Sequence, residues 1–271
     1  MDVSDLQHLR SIASAVSDHI RATFPYGGGG ERISLGASGD WTKEIDQQAE
    51  TIALNKIRDM GMDWNILSEE MGYLDRGAEK TLIMDPIDGT YNAVNGLPFY
   101  STSLAIRGAE GEIEAGVVCD IPMRRSFYAE RGKGAYLDGD RISTREYIES
   151  RSVFSSFLDP GSMEKNRFLL SWPKRSRYFG AVSLEVCFVA KGSFDLFALF
   201  SRLPRITDLA ASYLILKEAG GVHLKVRKDG TWAEYYPVKE SDIRGVLAIG
   251  DPNAADRMIE LCKAIRPQEE V

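Results

Sequence analysis

TLIMDPIDGTYNAVNG, residues 81–96, opens as a short apolar run and then presents Asp85, Pro86, Asp88, Gly89 and Thr90 in quick succession. A run of this length with no alternation suits a strand buried on both faces. The residues at its end admit two explanations. Asp, Pro and Gly are ordinary turn formers and Asp is a common helix cap; alternatively, two carboxylates closing an apolar strand face something positively charged. Pro86 would stiffen such a turn, Gly89 would leave room for an anion close to the backbone, and a helix starting near YNAVNG would aim free N–H groups at it.

Outward from this stretch, two helical patterns precede it. Leu6, Leu9, Ile12, Ala13, Val16 and Ile20 recur at helical spacing and predict an amphipathic helix that ends before Pro25. Ile45, Ala49, Ile52, Ala53 and Ile57 predict a second, from Thr42 to Met60, stopped by Gly61. Between them FPYGGGGERISLGASGD (24–40) carries so many glycines that a mobile flap is expected. WNILSEE (64–70) and TLIMD (81–85) predict short strands ending in acids, and TSLAIRG, EIEAGVVCD, RSFYAE and GAYLDG an antiparallel meander.

After about Ile142 strands and helices alternate: VFSSFL, a helix around GSMEKNRFLLSW, a helix in GAVSLEVCFVAKG, FDLFALF, a helix in TDLAASYLILKEAGG, strands at HLKVR and GVLAIG, and a helix in DPNAADRMIELCKAI. The expected organisation is layered, α+β over residues 1–142 and α/β over residues 143–271.

Composition narrows the partners. The 271 residues carry a formal charge of −7, with 44% hydrophobic and 27% charged residues. This is an ordinary globular balance and a poor one for neutralising nucleic-acid phosphates. Cys119, Cys187 and Cys262 are far apart and in no metal-binding spacing, which suits a reducing cytoplasm. No run approaches the roughly 20 apolar residues that span a bilayer. A cytoplasmic protein with neither a nucleic-acid nor a membrane partner is expected. His8, His19 and His223 lie away from every motif and are expected to be structural.

Acids recur at the ends of four elements: Asp40 and Asp46 in GDWTKEID, Glu69 and Glu70 in SEE, Asp85 and Asp88 in DPIDGT, and Asp208 in ITDLAAS. Each alone is an ordinary cap or solvated turn. Brought together they repel, by about 4 kcal/mol per pair at about 4 Å in a partly shielded site. A hard divalent cation such as Mg²⁺, which takes oxygen ligands, removes that penalty.

The order GDWTKEID, SEE, DPIDGT, TDLAASYLILKEAGG resembles the inositol monophosphatase family of Mg²⁺-dependent, lithium-sensitive phosphatases, over almost the whole chain. The resemblance implies a layered αβαβα sandwich, commonly a homodimer, with two or three Mg²⁺ ions. It implies Glu69, Asp85 and the Ile87 carbonyl on one ion, Asp85, Asp88 and Asp208 on a second, and a further loop ion near Asp40. It implies that Thr90 and Asp46, with Glu69, activate water, and that Asp88, Gly89 and Thr90 cradle the phosphate. Hydrolysis would then be direct, without a phosphoenzyme, and Asp88→Asn is expected to abolish it while sparing the fold.

Thr207 stands where the family's second signature usually has Trp, and RLPRITD resembles the branch that hydrolyses both inositol monophosphate and fructose 1,6-bisphosphate. Arg202 and Arg205 are candidates for a second phosphate, Ser183 and Glu185 for sugar contacts, and Lys174, Arg175 and Arg177 for further basic contacts. A 3'-phosphoadenosine 5'-phosphate phosphatase and a non-catalytic inositol-phosphate-binding relative are the alternatives. The intact acid set disfavours the second.

Overall fold

The structure, a computed structural model, describes residues 4–37, 39–157, 172–200, 204–238 and 242–263. The helix expected around GSMEKNRFLLSW, apart from Trp172, and the candidate Arg202 lie outside the described residues. Helix α1 (Asp5–Thr23) starts at a capping box in which Gln7 N donates to Ser4 Oγ and Ser4 N to Gln7 Oε1. A hairpin of β1 (Arg32–Leu35) and β2 (Trp41–Lys43) leads into α2 (Glu44–Asp59).

The first large sheet contains β3 (Asn65–Ser68), β4 (Gly72–Leu74), β5 (Thr81–Asp88), β6 (Ser101–Arg107), β7 (Ile113–Asp120), β8 (Arg125–Glu130), β9 (Ala135–Leu137) and β10 (Asp140–Ile142), in the order β10-β9-β8-β7-β6-β5-β3-β4. The short helix α3 (Thr90–Val94) interrupts it after β5. The second sheet has the order β12-β11-β13-β16-β14-β15. Its strands are β11 (Val153–Phe157), β12 (Arg175–Arg177), β13 (Leu196–Leu199), β14 (Val222–Arg227), β15 (Trp232–Glu234) and β16 (Ile243–Ile249). Helices α4 (Val182–Ala190), α5 (Ile206–Glu218) and α6 (Ala255–Lys263) complete the described elements.

Strand periodicity assigns the layers. Leu82 and Met84 of β5, with Leu104, Ile106, Val117 and Cys119, pack against Leu9, Ile12 and Val16 of α1 and Ile45 and Ala49 of α2. Their neighbours Ile83, Ala105 and Val118 point the other way, onto α4 and α5, which also meet Phe197, Leu199, Val246 and Ala248 of the second sheet. Leu196, Ala198, Leu247 and Ile249 turn outward onto Met258 and Leu261 of α6. The result is the αβαβα sandwich, with β5 buried along its whole length because helices cover both of its faces.

Two local expectations change. The glycine run is a packed seam: Gly28 N donates to Val94 O at 2.9 Å and Ile45 N to Gly29 O at 3.0 Å. Gly27 has φ +90°, and a Cβ there would lie 2.6 Å from Gly96 N and 2.7 Å from Val94 O. Those contacts are backbone, which cannot swing aside, so Gly27→Ala should cost about 2–3 kcal/mol of stability, read from the urea midpoint. The composition signalled flexibility; close backbone approach needs the same residue. Strand β5, moreover, does not stop at Pro86 but continues to Asp88 through an irregularity, with Asp85 opposite Ser103 and Asp88 opposite Ser101.

Candidate active site

That irregularity builds the site. In a regular strand, residues three apart face opposite sides; here three steps on β5 match two on β6, so Asp85 and Asp88 share the side of Ser103 and Ser101. Ser103 Oγ donates to Thr207 O at 3.3 Å and Ser101 Oγ is 3.0 Å from Ser183 Oγ, which fixes that side as the one facing α4 and α5. The N-termini of both helices thus meet the two acids. Asp85 Oδ1 accepts from Ile87 N at 3.0 Å across Pro86.

Glu69 at the end of β3, Asp85 in β5 and Asp208 in the first turn of α5 each bring a carboxylate oxygen within 4.8 Å of the other two. Asp85 and Asp208 are buried, and Glu69 partly so. Burial, then the charges of Glu69, Asp208 and Asp88, push the Asp85 carboxyl well above the usual carboxylate range. Three hard oxygen donors held together at that electrostatic cost fit a divalent cation.

Asp88 stands apart from this trio in what it contacts. Its Oδ1 accepts from Val182 N at 3.1 Å, and its Oδ2 from Ser183 N at 2.7 Å and Ser183 Oγ at 2.6 Å, at the N-terminus of α4. Gly89, with φ +90°, is the N-cap of α3, and Thr90, the first helical residue, donates its hydroxyl to Ile87 O at 3.1 Å. Asp46 accepts from Lys43 N at 3.1 Å through Oδ2, while its buried Oδ1 has no hydrogen-bond partner among the described residues. Burial and then the neighbouring Glu70 push its carboxyl up to about 7. The acid is therefore poised near neutrality, where a proton acceptor works best.

The sugar-contact candidates of the sequence do not reach the surface. Ser183 and Glu185 are fully buried. Ser183 is spent on Asp88 and Ser101, and Glu185 Oε1 accepts from Ser155 Oγ and, at 3.3 Å, from Phe179 N. Burial pushes the Glu185 carboxyl up to about 8. Both face buried partners rather than solvent, Glu185 through Oε1 alone: its Oε2 has no hydrogen-bond partner among the described residues. Arg205, in contrast, does face the site, where its guanidinium donates to Glu69 Oε1 and Asp40 Oδ2. Arg175 and Arg177 lie exposed on the edge strand β12, and Lys174 just before it is exposed as well.

Two features had no sequence signal. Glu70 clamps the β1–β2 flap, its Oε2 accepting from Thr42 Oγ and its carbonyl from Ala37 N at 2.8 Å. The Arg205 bridge joins residues 136 and 165 positions apart. His223 has the structural place expected of it: both ring nitrogens are buried with no hydrogen-bond partner among the described residues, and burial holds its pKa down at about 3. No described helix is long and apolar enough to cross a membrane.

The model of the inositol monophosphatase family matches residues 5–265. A fructose-1,6-bisphosphatase/inositol-1-monophosphatase of Methanocaldococcus jannaschii is 36% identical over 219 residues, covering 79% of this chain and 82% of that protein. A bifunctional NADP phosphatase/NAD kinase of Methanococcus maripaludis is 32% identical over 242 residues, covering 80% of this chain and 42% of that longer protein. A solved inositol monophosphatase–fructose 1,6-bisphosphatase superposes with a TM-score of 0.80 at 29% identity, over 96% of this chain and 100% of that one. The sandwich, the acid trio of Glu69 after β3, Asp85 within β5 and Asp208 in the first turn of α5, and a match along nearly the whole chain agree: the chain belongs to the inositol monophosphatase family.

Proposed function

We propose that this protein is a Mg²⁺-dependent phosphomonoester hydrolase of small sugar and polyol phosphates, with fructose 1,6-bisphosphate and inositol monophosphate as its foremost substrates. The observation that carries this is the convergence of Glu69, Asp85 and Asp208, which is costly in a folded protein unless a cation is meant to join them. Glu69, Asp85 and Asp208 would hold the ion, with Asp88 and the Ile87 carbonyl beside them. When bound, Mg²⁺ supplies charge that offsets the phosphate oxygens and lowers the pKa of water.

The chain's own residues do the rest. The Gly89 and Thr90 amides, at the start of α3, bind phosphate oxygens. Thr90 orients the attacking water. Asp46, pushed up to about 7, takes its proton as water attacks phosphorus in line with the departing alkoxide. Arg205, and Arg202 outside the described residues, would engage the second phosphate of a bisphosphate. Asp40 is the loop acid for a further ion. A homodimer and a cytoplasmic location complete the proposal; the first is supported by Tyr91, Leu97, Tyr178 and Phe179 lying exposed near α3, and the second by three free cysteines.

Phosphate release by the purified protein, with Mg²⁺ and with EDTA, tests this. EDTA-sensitive turnover of fructose 1,6-bisphosphate and inositol 1-phosphate is expected. Turnover of 3'-phosphoadenosine 5'-phosphate or NADP alone would move the substrate to nucleotides, and no release from any of the four would refute the catalytic assignment.

A further inference from the structure

Of the acid trio, Asp85 lies within β5, which is paired on both sides, and Asp208 within the first turn of α5. Glu69 lies instead in residues 69–71, the connection from β3 to β4. Sheet pairing reaches the first residue of that connection, where Glu69 N donates to Met84 O at 3.2 Å. A side chain from α2 brackets it. Glu50 accepts from Ser68 Oγ at 2.5 Å and from Met71 N at 3.2 Å, the residues on either side of Glu69 and Glu70, and both bonds end on one oxygen, Oε1. Ser68 is buried and Glu50 partly so. Asp46 lies on the same helix, four residues before Glu50 and so on the same face. One helix therefore carries both the acid placed as proton acceptor and the group that fastens the turn bearing Glu69.

We infer that Glu50 is a positioning residue for the metal site, setting Glu69 against Asp85, Asp208 and Asp46 through a single acceptor oxygen, and that its negative charge is not what the site uses. The inference rests on the metal-dependent function proposed above and deepens it. Three carboxylates within 4.8 Å of one another repel, and the one carried by a turn can relieve that repulsion by backbone movement more easily than two carried by a strand and a helix. Tying the turn on both sides opposes this. The two groups that donate to Glu50, a hydroxyl and an amide, are neutral and converge on one oxygen, which a side-chain carbonyl with two lone pairs can serve as well as a carboxylate. Reach, not charge, is the requirement.

The test compares Glu50→Gln, Glu50→Asp and Glu50→Ala in the full chain. Gln keeps the length and one acceptor oxygen, Asp keeps the charge but is one methylene short, and Ala loses both. Mg²⁺ binding without substrate is measured by titration calorimetry after EDTA treatment and dialysis. The Gln variant should stay within about twofold of the parent, while Asp and Ala should bind about tenfold or more weakly, the usual effect of losing a group that orients a metal ligand. Hydrogen exchange at the Met71 amide reads one of the two bonds directly, and it should quicken in Asp and Ala but not in Gln. That ranking, neutral Gln above charged Asp, is one that neither a metal ligand nor a general base at this position would give.

Unchanged Mg²⁺ affinity in Asp and Ala, whatever their melting temperatures, would reduce Glu50 to a structural role and overturn the inference. Weak binding by Gln with Asp close to the parent would overturn it too, by showing that the charge acts. Either result leaves the metal-dependent function standing. Should Glu50→Ala fail to fold, the order of Gln and Asp decides. Absence of Mg²⁺ binding to the parent would sink both proposals.

Discussion

Asp85→Asn should lose on the order of 10³-fold in phosphate release, and in EDTA it should melt at a higher temperature than the parent. The two effects have one cause. Asp85 is 3% exposed and shares its surroundings with Glu69, Asp208 and Asp88, so its negative charge is costly until a cation arrives. Asn keeps the shape and can still accept the Ile87 amide bond while removing the charge.

The pH dependence follows from the raised pKa. Because the folded protein holds the Asp85 proton more tightly than the unfolded chain, its contribution is most favourable below the ordinary carboxylate pKa and is lost as pH rises through the folded value. Thermal melts in EDTA across that range should fall with pH more steeply for the parent than for Asp85→Asn. An Asn variant that melts lower than the parent at neutral pH would show that the carboxylate is stabilising, and the cation-site assignment would fail with it.

Asp88→Asn should behave in the opposite way: the metal-free protein should lose about 2–4 kcal/mol of stability, seen as a lower urea midpoint at unchanged slope. From the sequence, this substitution relieves repulsion and spares the fold. The geometry reverses that expectation, because Asp88 accepts three hydrogen bonds from the first residues of α4. A carboxylate can accept on both oxygens, whereas an Asn side chain must turn its amino group toward one set of donors. The charge also complements the N-terminal end of the α4 dipole. Unchanged or increased stability in EDTA would mean that Asp88 matters to this protein only as a ligand.

These neighbouring acids, three residues apart, mark the boundary between what sequence and structure each decide. The apolar run 81–84, the helical spacing of residues 6–20 and 45–57 and the close succession of strands after residue 100 are local patterns, set by the periods of strand and helix, and they specified the layered α/β class. The acids at element ends and their order likewise identified the family, because motif spacing is written along one chain.

Which way those acids face was not legible. It depends on the extra residue that β5 accommodates between Asp85 and Asp88, visible only against the pairing of β6. The glycine run could not reveal that it packs on Val94 and Gly96, since flexibility and close approach call for the same residue. Ser183 and Glu185 looked like substrate contacts because a polar residue on a helix does not show whether solvent or a buried partner satisfies it. Arg205 could have been a surface charge; its bridge to Glu69 and Asp40 exists only once the chain returns over more than a hundred residues to the same place. Composition and spacing determined the fold class and the chemistry present; tertiary packing decided each side chain's partner, because burial and long-range contact are properties of the folded chain.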